Sequence, residues 1–258
     1  IETVIKPFLI ALDWGSSRFR GWLLDSNGIV IDKIEEEFGI LKINNSQYLD
    51  VFEKCIGSWI IEHGSIPIIA AGMIGSRQGW TEAPYLNCPA GPEQLANNLT
   101  YIKINSKLLK NPLSMAIVPG IKYFENGIPD LMRGEETQIA GLLRSKHQVG
   151  LCILPGTHSK WVFTNKGRIE SFTTFMTGEI FSLIEEHSIV NRLMVGKSFN
   201  RDDFLSGCNQ SLNSSYGFLK QIFSARTMGL FEKVKPKGIY SYLSGIAIGN
   251  EIKDGLEN

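Results

Sequence analysis

No segment of this 258-residue chain runs for the roughly 18 uninterrupted apolar residues of a membrane-spanning helix, and no charged, apolar and cleavage-site succession opens it. A spanning helix and a secretory leader are therefore not expected, and the chain reads as cytoplasmic. Excess charge is missing too: 26 Lys and Arg face 26 Asp and Glu, which leaves no broad field to attract nucleic acid or an anionic membrane. Small metabolites are the expected partners. Cysteine is scarce: Cys55, Cys88, Cys152 and Cys208 lie far apart, with no CxxC pair and no histidine cluster beside them to suggest zinc. In a reducing compartment they read as free thiols. Apolar residues are plentiful, at 43% with 10% aromatic, enough to fill one large or two modest domains.

Apolar runs and turn residues set the organisation. FLIALD (8–13) ends at Gly15-Ser16-Ser17, RFRGWLLD (18–25) leads to Ser26-Asn27-Gly28, and IVIDKIEE (29–36) follows. Asn-Gly between apolar runs predicts a hairpin in which both residues take positive φ, so a three-stranded meander is expected. Val51, Phe52, Cys55, Ile56, Trp59 and Ile60 recur at helical spacing and predict one apolar face; IPIIAAGM (66–73) predicts a buried strand. The same grammar returns after residue 149, with turns at Pro155-Gly156-Thr157-His158 and Asn165-Lys166-Gly167. Between the copies, Arg133 to Lys146 is rich in helix formers, and Thr177-Gly178-Glu179 opens a further helix. A duplicated meander with a small-residue turn after each first strand suggests two facing halves around a phosphate-bearing ligand. Turn amides and short hydroxyls approach phosphate oxygens closely, where a bulky side chain would block them.

ALDWGSSRFRGWLLD (11–25), AAGMIGSRQGW followed by EAPYL and CPAG (70–91), LMRGEETQIAGLL (131–143), LPGTHSKWV (154–162), FTTFMTGEIFSLI (172–184) and YLSGIAIGNEI (242–252) resemble, in order, the successive motifs of the 2-dehydro-3-deoxygalactonokinase family. The resemblance implies an α/β fold of duplicated actin/hexokinase-like, ribonuclease H-like domains, with a nucleotide and sugar cleft between them. It implies residues 1–130 as a phosphate-loop and sugar-binding domain and 131–258 as a nucleotide-side domain, expected to lack the last strand and helix with which family members go on to hold adenosine. The implied reaction moves the γ-phosphoryl of ATP to the 6-hydroxyl of 2-dehydro-3-deoxy-D-galactonate in galactonate breakdown, with Mg²⁺. A kinase for another sugar acid or sugar, a non-catalytic binder of sugar acid or nucleotide, and a phosphohydrolase of the same superfamily stay open as alternatives. No motif encodes the oligomeric state, and a homodimer is the default expectation.

The resemblance assigns roles residue by residue. Asp13 would hold Mg²⁺ directly or through water, since hard cations prefer oxygen ligands; a simple turn role is the alternative. Gly15, Ser16 and Ser17 would meet phosphate, with Arg18 as a planar fork for it or a solvated strand residue. Gly156 and Thr157 form the second cradle, with His158 and Lys160 as weaker members, because a lone histidine is more often a hydrogen-bonded structural group. Glu135 is first choice as the base that accepts the sugar's hydroxyl proton, with Glu136 as its rival; either also suits the first turn of a helix, complementing the dipole. Arg77 would clamp the substrate carboxylate through two hydrogen bonds, beside Gln78 and Trp80, although core packing is the commoner fate of tryptophan. Tyr85 and Cys88 read as structural, and Glu179 either caps a helix or touches the sugar.

Overall fold

Alternating residues of Pro7–Trp14 (β1) divide between two faces: Ile10, Leu12 and Trp14 are buried in the core, while Ala11 and Asp13 point to the other side. That alternation organises the first half of the computed structural model, which describes residues 6–44, 47–108, 112–144 and 150–257. β2 (Phe19–Asp25) and β3 (Val30–Glu36) continue the antiparallel meander, followed by α1 (Tyr48–His63) and β4 (Ile68–Ala71), which pairs parallel with β1. Next come β5 (Tyr85–Asn87), α2 (Pro92–Asn97), β6 (Thr100–Ile104), β7 (Leu113–Ile117), β8 (Gly120–Glu125), β9 (Ile128–Met132) and α3 (Glu135–Arg144). The main sheet has the order β3-β2-β1-β4-β7-β6, with β1, β4 and β7 parallel, and a small sheet has the order β5-β8-β9. An antiparallel meander feeding parallel strands in this order is the ribonuclease H-like arrangement that the motifs imply.

The expected helix is α1: Tyr48, Phe52, Cys55, Ile56, Trp59 and Ile60 are buried against Ile10, Leu12, Phe19 and Leu23 of the sheet. Each such side chain contributes about 1.5–3 kcal/mol by leaving water. Gly64, at φ 74, ends the helix by donating its amide to the Ile60 carbonyl. The Asn27-Gly28 hairpin forms, but only Gly28 takes positive φ. Asp25 accounts for the difference, since its carboxylate accepts the Asn27 and Ile29 amides and holds a longer loop between β2 and β3. Two-residue turns with positive φ at both positions occur at Asn126-Gly127, between β8 and β9, and at Lys166-Gly167.

The meander returns as β10 (Gly150–Leu154), β11 (Ser159–Asn165) and β12 (Arg168–Phe175), in the order β10-β11-β12, followed by α4 (Thr177–His187), α5 (Arg201–Asn213), α6 (Phe218–Leu230) and α7 (Ile239–Glu257). The helix expected over Arg133 to Lys146 appears as α3; residues 145–149 lie outside the described ones. The chain divides into one unit of Ile1–Cys152 with Phe163–Phe172 and a second of Ile153–Val162 with Thr173–Asn258. In the second unit Val190, Ala225, Ile239, Tyr242, Leu243 and Ile246 form the core that α7 shares with α6. No helix among the described residues is long and apolar enough to cross a membrane.

Candidate active site

In a sheet with parallel strands, backbone amides and loops converge at the carboxyl ends, which is where ligands bind. In the first unit those ends are Asp13 of β1, Ala71 of β4 and Val118 after β7, and they line a pocket of about 430 Å³ together with Arg20, Gly134 and Thr137. Two glycines allow the backbone to close around Asp13. At Gly72, φ 92, a Cβ would lie 2.9 Å from the Trp14 carbonyl oxygen and 3.2 Å from Asp13 Oδ1; at Gly134, φ 114, it would lie 3.3 Å from Gly72 Cα. The start of α3 is thereby brought beside the end of β4. Burial pushes the Asp13 carboxyl above its ordinary range, and Arg20, 3.3 Å away, pulls it back down.

Among the described residues no cluster of three or more His, Cys, Asp or Glu could hold a metal. A lone carboxylate at a pocket suits Mg²⁺, which keeps several waters and takes one or two carboxylates plus substrate phosphates rather than a protein cage. Asp13 therefore fits a nucleotide-borne Mg²⁺. The turn after it is tightly held, as the Gly15 amide donates to the Arg18 carbonyl, and the carbonyls of Gly15 and Ser16 accept the amides of Ile40 and Leu41. Ser17 and Arg18 are exposed, with Arg18 paired to the exposed Glu35 at 2.5 Å.

Glu135 and Glu136 occupy different environments although adjacent. The Glu135 carboxylate accepts the Arg133 amide at 3.2 Å and is half-buried. Glu136 is 0% exposed, and its carboxylate accepts the Gly134 amide at 2.7 Å and the Thr137 hydroxyl at 3.1 Å. Burial pushes Glu136 up to about 7, against the opposing pull of the Gly134 amide. A carboxyl raised from an ordinary 4.5 to about 7 favours folding fully below pH 4.5, and that contribution is lost as pH rises through 7, about 3 kcal/mol at roughly 1.4 kcal/mol per pH unit. Glu136→Gln keeps an acceptor for Gly134 and removes the titration. Wild-type melting temperature is expected to fall between pH 5 and 8 relative to the variant; parallel curves would assign the pH dependence to other groups.

The Gly75–Ala83 loop is fixed from both ends. The Ala83 amide donates to the Gly75 carbonyl at 2.9 Å, closing its neck. Farther out, Trp80 stacks on Tyr48 at 5.9 Å and meets Trp14 edge-on, while the Tyr48 hydroxyl donates to the Gln78 carbonyl. Trp80 thus packs partly against the core, and the exposed Arg77 and Gln78 stand out from a rigid frame. Behind the loop lies Arg133, a residue that sequence reasoning passed over although it precedes Gly134-Glu135. It is only 7% exposed, donates to the Ala83 carbonyl at 2.7 Å and the Tyr85 hydroxyl at 3.3 Å, and lies over the Tyr85 ring at 4.2 Å. Its Nη1 and the buried Ser76 hydroxyl have no hydrogen-bond partner among the described residues.

In the second unit Gly156, Thr157 and His158 form an exposed turn, while Ser159 and Lys160 behind it are buried. α4 braces this turn: the Glu179 amide donates to the Thr157 carbonyl at 3.0 Å, and the Glu179 carboxylate meets His158 Nε2 at 2.5 Å. His158 and Glu179, read separately in the sequence, thus form a pair.

A family model described as 2-keto-3-deoxy-galactonokinase matches residues 13–258. The chain is 32% identical over 243 residues to the 2-dehydro-3-deoxygalactonokinase of Escherichia coli strain K12, covering 94% of this chain and 78% of that protein. It also resembles the crystal structure of a Sinorhizobium meliloti protein bearing the same name, at a TM-score of 0.86 and 31% identity over 97% of this chain and 82% of the other.

Proposed function

The chain belongs to the 2-keto-3-deoxy-galactonokinase family, and on that premise we propose that it moves the γ-phosphoryl of ATP to the 6-hydroxyl of 2-dehydro-3-deoxy-D-galactonate. The observation that carries this reading is the meeting of Asp13 and Gly134 at one pocket, with Gly72 packed against both, which sets the start of α3 beside the carboxylate proposed to bind the metal. Bound with the nucleotide, Mg²⁺ would neutralise charge that develops on the transferring phosphoryl oxygens. Asp13 would hold that ion, and the amides and hydroxyls of Ser16 and Ser17 would meet phosphate, the Gly15 amide being taken by the Arg18 carbonyl. Gly156 and Thr157 supply the same groups in the second unit, where the pairing of Glu179 with His158 keeps the turn in shape. Lys160 is buried and Arg18 is engaged by Glu35, so neither is assigned a leading part.

We assign the base to Glu135. It accepts the 6-hydroxyl proton as that oxygen bonds to the γ-phosphorus and the bond to the bridging oxygen of ADP breaks. Glu136 lies out of reach of solvent with its lone pairs taken by Gly134 and Thr137, which suits a helix cap better than a proton acceptor. Arg77, on its rigid loop, clamps the substrate carboxylate, with Gln78 beside it and the Trp80 ring as an apolar flank. The four cysteines form no disulfide, in keeping with a reducing cytoplasm, where we place the reaction.

A coupled ADP-release assay over aldonates and 2-keto-3-deoxy acids tests the reading. Turnover is expected to be greatest with 2-dehydro-3-deoxy-D-galactonate; a sustained preference for another acceptor would reassign the substrate, and ATP hydrolysis indifferent to acceptor would favour a phosphohydrolase. In the same assay Arg77→Ala should raise KM for the sugar acid about tenfold to a hundredfold, since hydrogen bonds to a charged group contribute about 1.5–3 kcal/mol, with KM for ATP unchanged. Equal changes in both constants would make Arg77 structural.

A further inference from the structure

We propose that Arg133 is a positioning residue for the sugar acid, stapling the neck of the Gly75–Ala83 loop so that Arg77 is presented in one orientation. This rests on the assignment of Arg77 as the carboxylate clamp. The loop's ends meet where the Ala83 amide donates to the Gly75 carbonyl, and Arg133 lies against both sides of that join. One amino group donates to the Ala83 carbonyl at 2.7 Å; the other lies where a Cβ on Gly75 would be 2.9 Å away. Tyr85, the first residue of β5, completes the seat, with its ring under the guanidinium and its hydroxyl accepting from Nε. Only a planar, multiply donating cation makes these three contacts together, since a lysine ammonium is a point charge with no flat face.

A buried guanidinium is costly to hold. The side-chain hydrogen bonds of Arg133 to Ala83 and Tyr85 end on a neutral carbonyl and a neutral phenol, and one Nη donor has no acceptor among the described residues. An aliphatic side chain could fill that interior without the desolvation cost, so packing alone does not account for an arginine. Its place in the chain supplies a reason, because the residues that follow Arg133 are Gly134 and the base Glu135, whose carboxylate accepts the Arg133 amide. One residue therefore joins the loop that binds the acid to the helix turn that carries the base.

Arg133→Lys tests this. It keeps the charge and loses the fork and the stack, so KM for the sugar acid should rise about tenfold, with KM for ATP within twofold of wild type. Amide exchange of Ala83 should quicken over the same comparison, because the neck opens more often. Tyr85→Leu removes the seat from the other side and should reproduce both effects if the lysine variant does not fold. A Lys variant that retains wild-type KM while Arg133→Met loses it would mean that the charge itself acts on the anion, and would overturn the staple. So would unchanged Ala83 exchange, or both KM values rising together. If wild type released no ADP with any sugar acid, the functional reading would fail, and with it the positioning role; quickened Ala83 exchange in Arg133→Lys would then leave a structural neck clamp alone.

Discussion

Replacing Glu135 by Gln is expected to lower turnover by about a hundredfold or more while both substrates continue to bind. The amide matches the carboxylate in shape and retains an oxygen to accept the Arg133 amide, so the first turn of α3 keeps its geometry. What it loses is the ability to take the hydroxyl proton as the phosphoryl group moves. Turnover by ADP release, set beside calorimetric binding of the sugar acid and ATP, separates these effects. Glu136→Gln in the same assay should retain most of the rate, because its carboxylate is fully buried and engaged by Gly134 and Thr137. The opposite pattern, with Glu136→Gln inactive and Glu135→Gln active, would exchange the two roles.

Asp13→Asn should reduce turnover by about a hundredfold to a thousandfold, the equivalent of roughly 3–4 kcal/mol of lost metal-assisted charge stabilisation. The loss should be partly recovered by raising Mg²⁺, since a neutral amide oxygen is a poorer ligand and not an absent one. The fold should survive. Arg20 and Asp13 are 46% and 29% exposed, and a partly exposed pair of this kind contributes about 0–1 kcal/mol. Removing a carboxylate whose pKa burial has raised also removes a desolvation cost. Near-wild-type turnover with an unchanged Mg²⁺ requirement would dismiss Asp13 as the metal ligand, and a collapse in melting temperature would mark it as structural.

The turns proposed for phosphate were legible residue by residue. Asp13, the Gly15-Ser16-Ser17 turn and the Gly156-Thr157 turn were marked by small residues directly after apolar runs, and each does sit at the end of a first meander strand. The helical face of α1 was legible because every third or fourth residue was large and apolar. The details of the Asn27-Gly28 turn were not, because Asp25 competes for the turn amides and relieves Asn27 of positive φ. The partnership of His158 with Glu179 was hidden by a separation of 21 positions along the chain.

By itself the sequence determined the two meanders, the apolar face of α1 and the family, since these depend on periodicity and on motifs contiguous in the chain. It offered Glu135 and Glu136 as near equals, because adjacent acidic residues in a first helical turn look alike to any local rule. Only the tertiary structure separated them: the close approach of Gly134 to Gly72 turns one carboxylate inward, where burial and the Gly134 amide hold it, and leaves the other half-buried. Tertiary structure likewise decided the place of Arg133, whose contacts at Ala83 and Tyr85 lie 50 and 48 residues away. Such contacts arise when strands distant in the chain are brought together by burial of their shared faces, and no short window of sequence contains both partners.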